Sequence, residues 1–474
     1  MIPVTKEKIL EKNQEFEIEI EDYGNDGEGI GHYEGMAVFV KDAAKGDRAL
    51  VRITKVKKSY AYAHLVKVLE PSEDRSEPLC PHAKVCGGCS LMHISYDRQL
   101  AWKQEKVAQA LKRIGGIEDP VGIMEPIVAC DGGGLHYRNK AQFPVGCDKD
   151  GNIIIGFYAG HSHRIVDTDS CLLQPERFDE IIGACRAFFV EHRIKPYDEE
   201  KGSGLVRHIV IREGRSTGQI MVTFVLNGDG FGGHEQALVH EMRKISGIRS
   251  IIINTNKEKT NRILGFTNRV LWGSDVIEDT IGDIRFAIGP MSFYQVNPSQ
   301  TKRMYEKALE YAGLSGGETV WDLYCGIGTI SLFLAKQAGK VFGVEIIEEA
   351  IEDARRNAKL NGITNAEFYV GRSEDILPEK HKKEGVIADV IVVDPPRKGC
   401  DASLLETILS IASKRVVYVS CDPATLARDV AILTKGGYVL QKACVFDNFS
   451  QSTHVETVAQ LVNIAAKPGI MPDL

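Results

Sequence analysis

TVWDLYCGIGT, Thr319–Thr329, runs from an apolar strand through a glycine turn into a helix. KVFGVEII, Lys340–Ile347, follows as a second strand that closes on Glu345. Gly326 and Gly328 let the backbone turn tightly and approach a ligand closely. Glu345 stands 23 residues after Asp322, where dinucleotide folds place an acid for a ribose diol. Further strands, AEFYVGR, VIVVDPP and RVVYVSC, alternate with helical stretches such as EEAIEDARRNAKLNG. That alternation predicts a parallel sheet covered on both faces.

Upstream the pattern changes. From about 120 to 275, strands (HIVIREG, QIMVTFVLNG, SIIINTN) mix with helices such as RFDEIIGACRAFFVEHRI, which predicts an α+β domain. Up to about residue 70, EFEIEIEDYG, GMAVFVKDA, DRALVRITKV and AYAHLVKVLE alternate in the β manner with Gly- and Asp-rich breaks, as in a small β-barrel. EPSEDRSEP, Glu70–Pro78, reads as a linker. The expected architecture is therefore multidomain: a β-barrel over 1–72, an α+β central domain over 78–92 and 121–275, and a C-terminal α/β Rossmann-like domain over 276–474. Residues 93–120 are expected to form a helix packed on that last domain.

The chain has 474 residues, 43% hydrophobic and 26% charged, with a net charge of −7. No run approaches the roughly 18 apolar residues of a membrane span. The charged start, MIPVTKEKILEKNQ, lacks the apolar core of a signal peptide, so the expected location is the cytoplasm. Eleven cysteines in a reducing compartment point to metal binding or catalysis rather than disulfides. The acidic total hides local patterning: Lys45–Lys67 carries seven Lys/Arg and one acid, Asp47, with Tyr60 and Tyr62 interleaved. A basic strand pair with aromatic faces suits nucleic acid; a solvated β-face is the plainer reading.

Three motifs carry chemistry. The glycine turn lacks a third glycine and contains acidic Asp322, so it suits a pyrophosphate poorly. S-adenosylmethionine, an adenosine with a cationic amino-acid tail, suits it better. VVDPPRKG ends a strand on Asp394, and its prolines stiffen the exit. Adenine-amino methyltransferases have a similar motif with an aromatic residue after the prolines; here Arg397 follows. In VVYVSCDPATLARD, Val416–Asp429, Cys421 stands where a strand ends and a helix begins, facing the crevice where α/β sheets keep their ligands. Separately, CPHAKVCGGCSL holds Cys80, Cys86 and Cys89 in C-x5-C-x2-C spacing. A fourth ligand could be Cys130, Cys147, Cys171 or Cys185, and the spacing leaves zinc and an iron–sulfur cluster both open.

SFYQVN (292–297), DLYCGIGT, DPPRKG, SCDPATLARD and HVETV (454–458) occur in this order. In this the chain resembles the S-adenosylmethionine-dependent RNA uracil-5-methyltransferases, in particular the branch acting on 23S ribosomal RNA with an N-terminal TRAM domain and an iron–sulfur cluster. The resemblance implies cofactor contacts at Gln295, Tyr324, Glu345 and Asp394. It implies Cys421 as nucleophile and Glu456 as base, and it selects Cys171 as the fourth ligand of a 4Fe–4S cluster. Two positions depart from the family: Asp422 where Asn is frequent, and Ser450 where Pro is frequent. Neither removes a reacting group.

Uracil C5 is a poor nucleophile. A thiolate added to C6 gives C5 carbanion character, and a base must later remove the C5 proton so that the thiol can leave. One Cys and one base suffice, and an extended HVE segment would put His454 on the same face as Glu456. With this family, Lys45–Lys67 is better read as an RNA contact; Arg138, Asn139, Lys140, Arg207 and His208 could join it or could equally be the solvated edge of a sheet. The target base must leave its stack. The expected protein is a monomer without membrane association. A transfer-RNA uracil-54 methyltransferase would use the same site. An adenine-amino methyltransferase would not need Cys421 or Glu456, and a non-catalytic RNA-binding or ribosome-assembly protein would not need S-adenosylmethionine.

Overall fold

A computed structural model describes residues 10–464; the charged start at 1–9 and the residues after 464, both within the expected domain bounds, lie outside it. β1 (Glu15–Glu19), β2 (Asp22–Tyr23), β3 (Gly29–Tyr33), β4 (Met36–Lys41), β5 (Arg48–Val56) and β6 (Tyr60–Glu70) form one sheet in the order β1-β5-β6-β4-β3-β2. Its two ends, β1 and β2, are successive stretches of chain, so the sheet closes on itself as a barrel. Between them Ile20 N–H donates to Asp47 O and Glu21 N–H to Ile30 O. Ile18, Ile20, Val38, Val40, Val51 and Ile53 fill the interior. A side chain at Gly31 would strike Glu19 O at 2.3 Å, so the closure requires glycine there.

α1 (Tyr96–Arg113) and α2 (Pro120–Ile123) follow. The central sheet comprises β7 (Lys140–Cys147), β8 (Ile153–Tyr158), β9 (Ile165–Asp167), β10 (Val206–Glu213), β11 (Ile220–Leu226), β12 (Ile248–Thr255) and β13 (Thr267–Gly273), with α3 (Arg177–Glu191) and α4 (Glu235–Met242) between strands. Its order is β13-β12-β11-β10-β7-β8-β9. The helices bury Phe178, Phe188, Phe189, Leu238 and Met242 on one face. The hairpin β14 (Ile277–Ile281) and β15 (Ile284–Ile288) packs into the C-terminal core.

That C-terminal unit runs α5 (Pro298–Ala312), β16 (Thr319–Leu323), α6 (Thr329–Ala335), β17 (Lys340–Glu345), α7 (Glu348–Leu360), β18 (Ala366–Val370), α8 (Ser373–Glu384), β19 (Val390–Val393), α9 (Ala402–Ile411), β20 (Arg415–Ser420), α10 (Pro423–Lys435), β21 (Tyr438–Phe446) and β22 (Glu456–Asn463). The sheet order is β18-β17-β16-β19-β20-β22-β21. β16 to β20 pair in parallel, and β22 enters antiparallel between β20 and β21. Alternate residues feed two cores. Val320, Val417 and Val419 pack with α5–α7, while Trp321, Val416 and Tyr418 pack with α8–α10. Val107 and Leu111 carry α1 into the second core.

Two expectations need correction. Residues 124–128, assigned from sequence to the central domain, instead line the edge of the C-terminal sheet through parallel bridges Met124–Ala443 and Val128–Phe446. The supposed RNA edge at Arg207 and His208 is buried, because both faces of β10 are covered. Arg207 donates to Asn256 O and Glu258 O and lies 4.6 Å from the Tyr197 ring. His208 faces the Tyr158 hydroxyl at 3.3 Å, and burial pushes its pKa down to about 4. Asn139 is also buried.

Candidate active site

β20 is buried along nearly its whole length and ends at Ser420, leaving Cys421 at its carboxyl edge, half-buried. Its ladder with β22 ends at Ser420 opposite Thr457. One step further along the antiparallel register, Cys421 comes opposite Glu456, which is itself paired with Phe446 of β21. Two residues 35 positions apart in sequence are thus brought together by backbone pairing.

Asp422 caps α10. Its Oδ1 accepts from Ala424 N–H and Thr425 N–H, both at 2.9 Å. The carboxylate is therefore turned into the helix terminus, satisfying amides that helices otherwise leave unpaired.

The electrostatics bind four groups together. Burial, then Glu456 and Asp394, push the Cys421 thiol up to about 12, while Arg397 pulls it down. Burial and Asp394 hold Glu456 well above the usual carboxylate range, again opposed by Arg397. Asp394 rises to about 7 through burial and the nearby Asp322. Arg397 also meets the His454 ring, 3.3 Å from Nε2. Burial, then Arg397 and neighbouring lysines, depress His454 to about 4, so that imidazole is neutral at physiological pH. His454 keeps an edge open to solvent while its ring is sheltered by Arg397, whereas Glu456 is buried. Arg397, noted in the sequence only as a departure from an aromatic residue, is the cation shared by the thiol and the carboxyl.

The other cofactor candidates line the same sheet edge. Tyr324 follows β16 with φ of 76°, a strained conformation for a non-glycine residue and one that clusters at functional sites. Glu345 accepts from Ile346 N–H, Ile347 N–H and Gly326 N–H, which fixes its carboxylate beside the glycine turn. Gln295 is buried, and its carbonyl accepts from Asn139 Nδ2 at 2.9 Å. Asn139, expected to meet RNA, instead holds the SFYQVN segment. Asp322 accepts from Ser331 through Oδ2, but its buried Oδ1 has no hydrogen-bond partner among the described residues. An unpaired buried carboxylate oxygen beside a glycine turn is suited to a ligand cation. Tyr305, unremarked in the sequence, is buried close to Asp394, Asp322 and Glu456.

Cys80, Cys86, Cys89 and Cys171 are all half-buried. Cys89 feels the charges of Cys171, Cys86 and Cys80, and burial raises its thiol to about 12. The four thiols therefore share one neighbourhood at the seam of linker and central domain. Among the described residues, no group of three or more His, Cys, Asp or Glu side chains is arranged to hold a metal ion.

The basic barrel face is less basic than its sequence. Arg48 pairs with Glu17 and Glu70, Arg52 with Glu15, and Lys45 with Asp22. Buried Asp47 is held by Arg75. Tyr60 and Tyr62 join Phe39 in an aromatic cluster, with centroids 5.5 to 5.7 Å apart, beside exposed Lys55, Lys57 and Lys58.

A thiol and a carboxyl at the carboxyl edge of a seven-stranded α/β sheet, beside a glycine turn backed by an acid, define a Rossmann-like enzyme of the methyltransferase class. Residues 267–464 match the family described as tRNA (Uracil-5-)-methyltransferase, and residues 10–66 match the TRAM domain. An uncharacterised RNA methyltransferase from Halalkalibacterium halodurans is 49% identical, covering 95% of this chain and 98% of its own length. A similar protein from Clostridium acetobutylicum is 48% identical, covering 97% and 99%. Among solved structures, the tRNA (uracil-54, C5)-methyltransferase of Pyrococcus abyssi in complex with S-adenosyl-L-homocysteine superposes with a TM-score of 0.76. It is 30% identical and covers 94% of this chain and 100% of its own. The chain belongs to the RNA uracil-5-methyltransferase family, in its TRAM-bearing form.

Proposed function

We propose that this protein is an S-adenosylmethionine-dependent methyltransferase that forms 5-methyluridine in RNA, with a uridine of 23S ribosomal RNA as its target. It would act as a cytoplasmic monomer. The observation that carries the reading is the register that puts Cys421 opposite Glu456.

S-adenosylmethionine, when bound, supplies an electrophilic methyl group; Gln295, Tyr324, Glu345 and Asp394 would hold it, with the unpaired Asp322 Oδ1 toward its cationic tail. The Cys421 thiolate adds to uracil C6, which makes C5 nucleophilic. Once C5 is methylated, Glu456 takes the C5 proton, the C6–S bond breaks, and the electron pair returns to Cys421 as thiolate. A carboxylate whose pKa is raised by burial is a stronger base for that proton. Arg397 offsets the negative charge that accumulates on the thiol and the carboxyl.

The four cysteines would hold a 4Fe–4S cluster. Four thiols that share one neighbourhood are the ligand set such a cluster uses. The aromatic cluster of Phe39, Tyr60 and Tyr62, with the lysines beside it, would stack and steer RNA.

A second reading, uridine 54 of transfer RNA, is favoured by the similarity to the Pyrococcus enzyme. Because that alignment spans 94% of this chain, the barrel and cysteine loop do not by themselves select ribosomal RNA. Mapping 5-methyluridine in both RNA classes from a deletion strain separates the readings. Loss from 23S RNA supports the first, loss at position 54 the second, and loss from neither overturns both.

A further inference from the structure

The loop Asp447–His454 leads directly into Glu456, and one face of α1 holds it. Tyr96, Gln99, Lys103 and Lys106 recur at helical spacing, which aligns them on one side, and each reaches this loop. Tyr96 donates its hydroxyl to Asp447 Oδ2 at 2.8 Å, and Lys103 Nζ reaches Asp447 Oδ1 at 2.5 Å and Phe449 O at 3.1 Å. Gln99 Nε2 donates to Gln451 Oε1, and Lys106 Nζ to Thr453 O, both at 3.1 Å. Lys103 and Asp447 are each about 1% exposed, so this is a buried ion pair joining residues far apart in the sequence.

The same helix face gathers the other domains. Lys106 also donates to Asn25 O in the barrel, at 2.8 Å. Gln99 donates to Leu91 O at the exit of the cysteine loop, and Ser90 N–H and Leu91 N–H donate to Gln451 O. Tyr137, just before the central sheet, donates to Ser450 O. Gln451 itself is held at φ of 63°. These side-chain hydrogen bonds gather at the segment preceding the base, and none ends on Cys421. The apolar side of the same helix, Val107 and Leu111, packs in the core beneath β20 and α10, and Lys106 also feels the charge of Asp422.

We propose that α1 is a brace for the catalytic base: Gln99, Lys103 and Lys106 are positioning residues for proton removal by Glu456, and they make that step depend on the seating of the barrel and the cysteine loop. Addition of Cys421 to C6 does not depend on the brace. The inference rests on the reading of Glu456 as base.

The test compares Gln99→Leu, Lys106→Met and Lys103→Met on two RNAs. With 5-fluorouridine RNA no C5 proton is available, so the trapped adduct reports addition and methyl transfer alone; with uridine RNA, turnover requires elimination. Lys103→Met leaves Asp447 buried without its cation and is the variant most at risk of misfolding, so the other two keep the test decisive. The expected result is turnover reduced about tenfold or more, methylated adduct accumulating on uridine RNA, and trapping on 5-fluorouridine RNA within about twofold of the parent. Equal loss of trapping and turnover, or no loss of turnover in Gln99→Leu and Lys106→Met, overturns the brace. Glu456→Gln is run alongside. If it accumulates adduct and the brace variants do not, the brace alone falls; if it accumulates none, the base assignment falls with it.

Discussion

Cys421 and Glu456 face each other across one ladder, yet they are mounted in opposite ways. The thiol sits between a buried central strand and a capped helix, all within the C-terminal domain. The carboxyl follows a loop whose hydrogen bonds run to α1, to the exit of the cysteine loop and to the central domain. The proposed nucleophile is thus fixed by local folding, and the proposed base by assembly of the whole chain.

The largest effect that tests this contrast is loss of the thiol. Cys421→Ala should abolish both turnover and the covalent adduct on 5-fluorouridine RNA, while S-adenosylmethionine binding, measured by calorimetry, persists. Any adduct from that variant would place the nucleophile elsewhere. Glu456→Gln comes next. Turnover should drop by about 100- to 10,000-fold while methylated adduct accumulates on uridine RNA and appears on a denaturing gel. A variant that neither turned over nor formed adduct would assign Glu456 to the first half of the reaction instead.

A smaller effect lies in pH. Burial and two carboxyls push the Cys421 thiol up to about 12, so the reactive thiolate is the minor form at neutrality and grows as pH rises. The rate of trapping on 5-fluorouridine RNA should therefore keep climbing through the alkaline range, without the plateau near pH 8.5 that an ordinary thiol of about that pKa would give. A plateau near neutrality would mean that bound RNA and cofactor lower the thiol far more than Arg397 does in the free protein.

The place of Cys421 at a sheet edge was legible in sequence, because strand exit, proline and helix start are local signals. So was the strand and glycine turn ahead of Glu345. The support of the loop before Glu456 was not. In YDRQLAWKQEKVAQALKR the polar residues Gln99, Lys103 and Lys106 look like the wet face of an amphipathic helix. Only a partner some 340 residues further on, Asp447, makes Lys103 a buried residue. Arg207 and His208 misled for a related reason. In GLVRHIVIR they mimic the polar side of a half-exposed strand, but β10 is covered on both faces, and local alternation carries no information about what packs from outside. Arg397 was visible only as an oddity beside two prolines, since its role depends on bringing β19, β20 and β22 to one edge.

Asp422 offers the finest test of how self-contained the nucleophile is. Its carboxylate accepts from two helix amides, and an asparagine there would keep the accepting oxygen while removing the charge. A negative charge at a helix N-terminus is worth about 0.3–1 kcal/mol, and it partly cancels the positive end of α10 that would otherwise favour the adjacent thiolate. Asp422→Asn should therefore speed adduct formation on 5-fluorouridine RNA by about two- to fivefold, by the same factor at each pH below the thiol's pKa. Stability should stay within about 0.5 kcal/mol of the parent, whereas Asp422→Ala, which loses the cap, should cost about 1 kcal/mol. A slower Asp422→Asn would show that the charge acts on the RNA or on Lys106 rather than on the thiol, and the nucleophile would then no longer be independent of the helix that braces the base.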